Sequence, residues 1–417
     1  MKDIQPNGTG GSGATDQIDD RWNDKYPYLG TEPIPLEPYI SREYFELERD
    51  RIFRNVWLSV GRIEQIPNPG DYSVHELPVC HTSVVVVRGK EGKVHAFHNM
   101  CSHRGNKVVW DNGGSCQNFT CKFHGWSYGL DGTLKFVPDE ENFFGLQKEK
   151  LGLTPIAVDT WAGFIFIHLD PNPAETLNEY LAEVVPGLEG YPFSEASATH
   201  FCWRTEIKAN WKVAQDAFQE GYHFPVRHKE SAASAFTSET NPYCHFLSLD
   251  VYKRHRRTSS YGNLDYRPTA VEGLAHEFGS SVVVDRGLSM EDLPAGVNPT
   301  RRQDWSIDVF WIFPNFSVFP TNGTYLTHHF WPITEDRTIW ETHTYFPRAK
   351  DAGQRFSQEY SKVLLRDILM EDGTTLEHMQ EVLASGAKTH MQLQHQEICV
   401  RHAYKVVEDY VGLYNGR

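Results

Sequence analysis

The chain is short of several things, and each shortage excludes a class of protein. Seven cysteines in 417 residues are too few, too scattered and, being odd in number, badly matched to a secreted disulfide scaffold. No run of about 18 uncharged apolar residues occurs, and the opening residues are polar and glycine-rich without the apolar segment of a signal peptide. Positive charge is scarce: 40 Lys and Arg stand against 55 Asp and Glu, and the formal charge of -15 repels nucleic acid and anionic lipid. No Gly-x-Gly-x-x-Gly follows a predicted strand, so any nicotinamide or flavin reductase has to be a separate polypeptide. The expectation is a cytoplasmic protein with no nucleic-acid or membrane partner.

What is present is enough apolar material, 40% hydrophobic and 13% aromatic, to build two or three domains. Residues 1–20, centred on Gly8-Thr9-Gly10-Gly11-Ser12-Gly13, are too polar to be ordered by burial and read as a tail. Residues 21–56 read as a helical arm, with Ser41 capping one amphipathic helix that runs to Trp57. Between 57 and 170, β-branched runs such as Ser83-Val84-Val85-Val86-Val87 alternate with turns such as Asn68-Pro69-Gly70-Asp71, the texture of a small all-β domain. From 171 to 417 the pattern mixes helices, at 207–222 and about 357–384, with strands at 307–313, 316–319, 325–331 and 338–346. That makes an α+β domain in which an antiparallel sheet packs against a long helix.

Two clusters carry chemistry. In the first, Cys101-Ser-His103 and Cys121-Lys-Phe-His124 combine thiolates and imidazoles in two tight loops, a donor set that asks for a metal. Cys₂His₂ also suits a structural zinc ion, and Cys116 stands outside the pattern as a structural thiol. In the second, Asp216, Glu220 and His223 fall within about 60° of one another on a helical projection at 100° per residue. Pro225 then ends the helix and lets His228 fold back toward His223. His328-His329 is a rival pair, but adjacent strand residues face opposite ways and cannot easily share one ion.

The full local patterns, Cys101-Ser-His103-Arg104-Gly105 and Cys121-Lys-Phe-His124-Gly125-Trp126-Ser-Tyr128, resemble the Rieske [2Fe–2S] motif. Asn210-Trp211-Lys212, the acidic face and Tyr222-His223 with His228 resemble the catalytic iron motif of Rieske non-haem iron oxygenase large subunits, over residues 40–417. The resemblance implies a Rieske domain followed by a helix-grip catalytic domain. It implies Cys101 and Cys121 on one cluster iron, with His103 and His124 on the other. It further implies a mononuclear Fe(II) on His223, His228 and a carboxylate from Met370-Glu371-Asp372, assigned to Asp372 with Glu371 as the substitute. Glu220, where many members carry Asp, becomes the electron bridge between His124 of one subunit and His223 of the next, and Asp216 a residue that tunes the iron site or donates to bound water, with structural capping as the rival role.

The activity implied is oxygenation, as mono- or cis-dihydroxylation of a hydrophobic aromatic or cyclic compound, with electrons from a ferredoxin or flavin reductase. Oxidative demethylation and quaternary-amine oxidation are the alternatives within the family, and a plain electron carrier the alternative outside it. The implied assembly is a head-to-tail homotrimer, with or without a small β subunit. Phe224, Phe310, Trp311, Phe313, Phe316 and Phe330 are candidates for an apolar substrate lining, each with core packing as the rival role.

Overall fold

Two antiparallel sheets organise the chain, and the patterning of their strands explains how each is used. The structure, a computed structural model, describes residues 21–279, 293–321 and 323–412, so the tail expected at 1–20 lies outside the described residues. The first sheet has seven strands, in the order Leu58–Arg62, Phe164–His168, Pro155–Trp161, Val94–His98, Thr82–Arg88, Asp71–Leu77 and Gly113–Ser115. Its valine run is apolar throughout because both faces are covered. Val84 and Val86 join the main core, while Val85 and Val87 join a second core beneath the loops at Cys101 and Cys121. A three-stranded sheet, Asn118–Thr120, Ser127–Gly129 and Leu134–Phe136, carries the second of those loops.

The second seven-stranded sheet runs Thr199–Ile207, Arg337–Phe346, Tyr325–Thr334, Phe316–Pro320, Trp305–Ile312, Arg256–Tyr261 and Ser248–Val251. Its register decides which side chains meet. His328 lies opposite Thr342 and His329 opposite Glu341, so the neighbouring histidines are committed to opposite faces. One face, with Leu326 and His328, turns toward the long helix. The other, with Thr327 and His329, turns toward the first sheet, and residues of both sheets line a cavity between them.

The long helix spans Ala352–Leu383 and is capped by Asp351, whose side chain accepts from Gln354 N–H at 2.9 Å. Its buried stripe is Ser357, Ser361, Leu365, Ile368, Leu369, Asp372, Leu376 and Gln380, a spacing of three to four. Asp372 is the only carboxylate in that stripe, and a buried carboxylate signals a paired or metal-bound group.

The arm departs from the single helix expected at 41–57. Ser41 does cap a helix, accepting from Tyr44 N–H at 3.1 Å, but that helix covers only Arg42–Glu48. Residues Arg49–Phe53 then widen into a π turn, which swings Ile52 and Phe53 into the main core. The arm is fastened elsewhere too. Ile34–Pro35 pairs with His390–Met391, and buried Glu48 accepts from Trp211 Nε1–H at 2.9 Å and pairs with Lys212.

Candidate metal centres

Cys101 and Cys121 begin two loops of matching construction. In each, the N–H of the glycine four residues on, Gly105 or Gly125, donates to the cysteine carbonyl at 3.0 Å. Each glycine has a positive φ, 77° and 76°, which turns the loop tightly and which a side chain would strain. The cysteines are buried, His124 is exposed and His103 half-buried, with the two imidazole rings 4.5 Å apart. Trp126 stacks on His103 at 5.0 Å, and Tyr128 Oη lies 3.1 Å from Cys101 Sγ while accepting from Ser102 N–H at 3.0 Å. His103 Nδ1 is buried without a hydrogen-bond partner among the described residues. Two inward thiols and two outward imidazoles, one with an orphaned nitrogen, fit a Rieske cluster. Cys116 packs half-buried at the edge of the core beneath the loops.

The second centre is assembled differently from the helical face expected. Asn210 caps a helix by accepting from Lys212 N–H at 2.9 Å, but the helix covers only Trp211–Asp216, not 207–222. Tight turns follow, with Gln219 N–H donating to Asp216 O at 3.0 Å and Phe224 N–H to Gly221 O at 3.1 Å. Because the turns stay compact, Asp216, Glu220 and His223 still border one cleft, with Asp372 across it. Pro225 sits in a short helix, Phe224–Arg227, rather than ending a long one, and His228 follows at its C-terminus.

Three donor atoms converge here. His228 Nε2 lies 3.2 Å from His223 Nε2 and 3.1 Å from Asp372 Oδ1, and His223 Nε2 is 3.9 Å from the same oxygen. The other nitrogen of each ring is already committed. His228 Nδ1–H donates to Glu371 Oε2 at 2.7 Å, and His223 Nδ1–H donates to Glu220 Oε1. With those tautomers, two nitrogen lone pairs and a carboxylate oxygen face one another, a repulsive arrangement unless a cation lies among them. The residues therefore fit a 2-His-1-carboxylate iron centre.

Glu371, expected as a substitute ligand, instead stands behind His228, held by Ser231 Oγ–H at 2.7 Å. Asp216 touches none of the three donors: its carboxylate accepts from Tyr39 Oη–H at 2.8 Å and Gln219 Nε2–H at 3.0 Å. Burial raises the Asp216 carboxyl to about 7, against the lowering effects of the Tyr39 hydrogen bond and of Arg256 and Lys212.

A cavity of about 110 Å³ opens on the three donors. Of the six aromatics singled out above, only Phe224 lines it; the others are core residues. Strand parity is the reason for Phe310 and Phe316, which lie on the opposite face from Val309 and His328, and Phe313 lies past the end of its strand. Phe218, Phe236, Phe246 and Phe319 line it instead, with Ile307, Val309, Leu326 and Leu365. Sequence reading missed His328 as a wall residue. Its Nδ1 accepts from Trp340 Nε1–H at 3.1 Å and Thr342 Oγ1 lies 2.7 Å away, which puts the ring proton on Nε2. Burial lowers its pKa to about 3, so the ring is neutral.

A sulfur–nitrogen donor set in paired loops and a separate facial set of donors under an apolar cavity define an oxygenase with two iron centres. Residues 195–413 match the family model described as the ring hydroxylating alpha subunit, catalytic domain, and residues 56–158 match the Rieske [2Fe-2S] domain. The chain belongs to the Rieske non-haem iron oxygenase alpha subunits, and it carries a Rieske cluster and a mononuclear iron. It is 31% identical over 323 residues to a carnitine monooxygenase oxygenase subunit of Acinetobacter baumannii, covering 75% of each chain. It is 35% identical over 205 residues to the biphenyl 2,3-dioxygenase alpha subunit of Rhodococcus jostii, covering 45% of this chain and 42% of that one. The fold matches naphthalene 1,2-dioxygenase from a Rhodococcus species with a TM-score of 0.73 at 20% identity, over 95% of this chain and 98% of the other. Among the described residues no helix is long and apolar enough to cross a membrane.

Proposed function

We propose that this oxygenase hydroxylates a small, uncharged, apolar ring compound, with His223, His228 and Asp372 holding the mononuclear iron. Cys101, His103, Cys121 and His124 hold the cluster in this reading. The observation that carries it is the cavity: about 110 Å³, apolar on most of its surface, and open directly onto the three converging donors. Cavities of roughly 150 Å³ take up benzene, so the space suits about one ring. Substrate, O₂, two electrons and two protons give either a cis-dihydrodiol or one hydroxyl group plus water.

When bound, the iron supplies open coordination positions for O₂ beside the substrate. The chain's own residues do the rest. Glu220 and Glu371 fix the imidazole tautomers so that both Nε2 lone pairs face Asp372. The phenylalanine and aliphatic walls exclude water, and His328 Nε2–H is a neutral donor on the sheet wall to orient a substrate.

Electrons reach this centre from a separate reductase or ferredoxin, by way of the cluster. His124 is exposed, and Phe123, Trp110 and Met100 around it are half or more exposed, an apolar rim suited to a protein partner. In a head-to-tail trimer that rim meets the neighbouring catalytic domain, and Glu220, already bonded to His223, is the relay. Asp216 acts through Tyr39 and Gln219 as a positioning residue for this segment. A cytoplasmic location fits the need for a nicotinamide-dependent donor.

A quaternary-amine substrate is the second reading, favoured by the carnitine monooxygenase relative and by the phenylalanine-lined walls, which suit a cation. Against it, no Lys or Arg is among the described lining residues to meet the carboxylate of a betaine. Product mass under ¹⁸O₂, with a surrogate reductase and NADH, tests the choice. Labelled product from one-ring arenes and none from betaines is expected; labelled formaldehyde or alcohol from betaines alone would overturn it.

A further inference from the structure

The face of the catalytic sheet turned away from the iron cavity carries a second set of metal-type donors. His329 and Glu341 are directly opposite one another on neighbouring strands, and His343 is two residues beyond Glu341, hence on the same face. One donor atom from each lies within 4.8 Å of the others. They border a cavity of about 660 Å³ between this sheet and the first, into which His75 and Tyr72 of the strand Asp71–Leu77 also project.

The donors are built in rather than incidental. His329 is 6% exposed, and its ring is held between Phe316, 4.5 Å away, and Trp331, 5.7 Å away and nearly parallel. Neither nitrogen of that ring has a hydrogen-bond partner among the described residues; the Ser59 backbone is nearby but outside bonding geometry. His343 Nδ1 is likewise buried and unpartnered, and its Nε2 has only a 3.9 Å contact with Cys202 Sγ. Leaving buried ring nitrogens unpaired is costly, so one imidazole with both nitrogens unpaired and a second with its Nδ1 unpaired, on one face of one sheet, call for a ligand.

The carboxylate is held as well: Arg204 Nε forms an ion pair with Glu341 Oε1 at 2.8 Å, and Trp331 Nε1–H donates to Oε2 at 3.1 Å. Each oxygen keeps a further lone pair, and such outer hydrogen bonds are what hold a ligating carboxylate in place. Burial pushes His343 down to about 4 and holds His329 well below the ordinary imidazole value, so both rings are neutral, the form that binds metal.

We propose that His329, Glu341 and His343 form a second metal site, for a divalent first-row transition ion, with Zn²⁺ the best match to two imidazoles and a carboxylate held on a rigid sheet. Its remaining positions face the wide polar cavity and take water, and the bound ion braces the sheet behind the iron centre. The site is independent of the substrate assigned to the iron cavity, because His328, on that side, points the other way.

Zinc retention tests the site. Holoenzyme is equilibrated with Zn²⁺, gel-filtered and analysed for zinc and iron beside His343→Gln, Glu341→Gln and His228→Ala. Wild type and H228A are expected to keep about one zinc per chain more than H343Q and E341Q. H343Q and E341Q are expected to retain wild-type iron content and the cluster's visible spectrum, which shows that they fold. Zinc should also raise the melting temperature of wild type and not that of H343Q. Equal zinc in wild type, H343Q and E341Q would overturn the proposal, as would zinc lost in H228A but kept in H343Q, or no zinc retained by wild type.

Discussion

His228 Nδ1 lies 2.7 Å from Glu371 Oε2, while the Nε2 of the same ring lies 3.1 Å from Asp372 Oδ1. Two consecutive acidic residues of one helix thus serve one imidazole from both ends. Glu371 fixes which nitrogen carries the proton, and Asp372 shares the space that the other nitrogen faces. The helix makes this possible because successive side chains differ by about 100°, which leaves Asp372 in the buried stripe and Glu371 at its edge.

Glu371→Ala is therefore expected to weaken iron binding by about 10–100-fold without removing it, because His228 is freed to take either tautomer. Iron titration of the variant, read beside an unchanged cluster spectrum, checks this. Affinity equal to wild type would show that Ser231 and the helix hold the ring without Glu371.

Glu220→Gln keeps size and a hydrogen bond to His223 but removes the charge. Iron content and cluster reduction should stay near wild type, while product formation per reduced cluster falls by about tenfold or more. Single-turnover measurement with pre-reduced protein separates this loss from slower reduction by the partner.

Asp216 makes stability depend on pH in an unusual sense. Its carboxyl rises from an ordinary 3.8 to about 7 on folding, because burial penalises the charge, so the folded chain holds this proton more tightly than the unfolded one. Stability from this group is full below about 4, falls as pH rises toward 7 by at most about 1.4 kcal/mol per unit, and is level above it. Asp216→Asn removes the charge and should flatten that decline. Urea unfolding midpoints between pH 5 and 8 test it, and parallel slopes in the two proteins would contradict the assignment.

Phe319 walls the cavity from the sheet side beside His328, with ring centroids 4.9 Å apart. Phe319→Ala should cost about 3–5 kcal/mol of stability and shift the preference toward two-ring substrates, read as the ratio of kcat/KM for naphthalene over benzene.

Legibility in the sequence followed the range of the interactions involved. The paired loops were readable because every determinant, from Cys101 to Gly105 and from Cys121 to Tyr128, lies within a few residues. The strands between 305 and 346 were readable to within a few residues from their β-branched and aromatic texture. The helix expected at 207–222 failed because tertiary packing, through Tyr39, Asp216 and Gln219, replaced helical bonds with turns after Asp216. The cavity lining failed for the same reason at the sheet. Aromatic content gives no face, and only the register of His328 with Thr342 and of His329 with Glu341 reveals which residues look at the iron side. The adjacency of those two histidines read correctly as a pair unable to share one ion, but that each faces a separate donor-lined cavity needed the fold.

The most direct test of the account is the iron content of Asp372→Ala, taken together with its cluster EPR signal and ¹⁸O-labelled product. If His223, His228 and Asp372 hold the mononuclear iron, the variant loses about one iron per chain, keeps the full Rieske signal and forms no labelled product. Wild-type iron content with undiminished labelled product would place the oxygen chemistry elsewhere in the molecule and contradict the assignment.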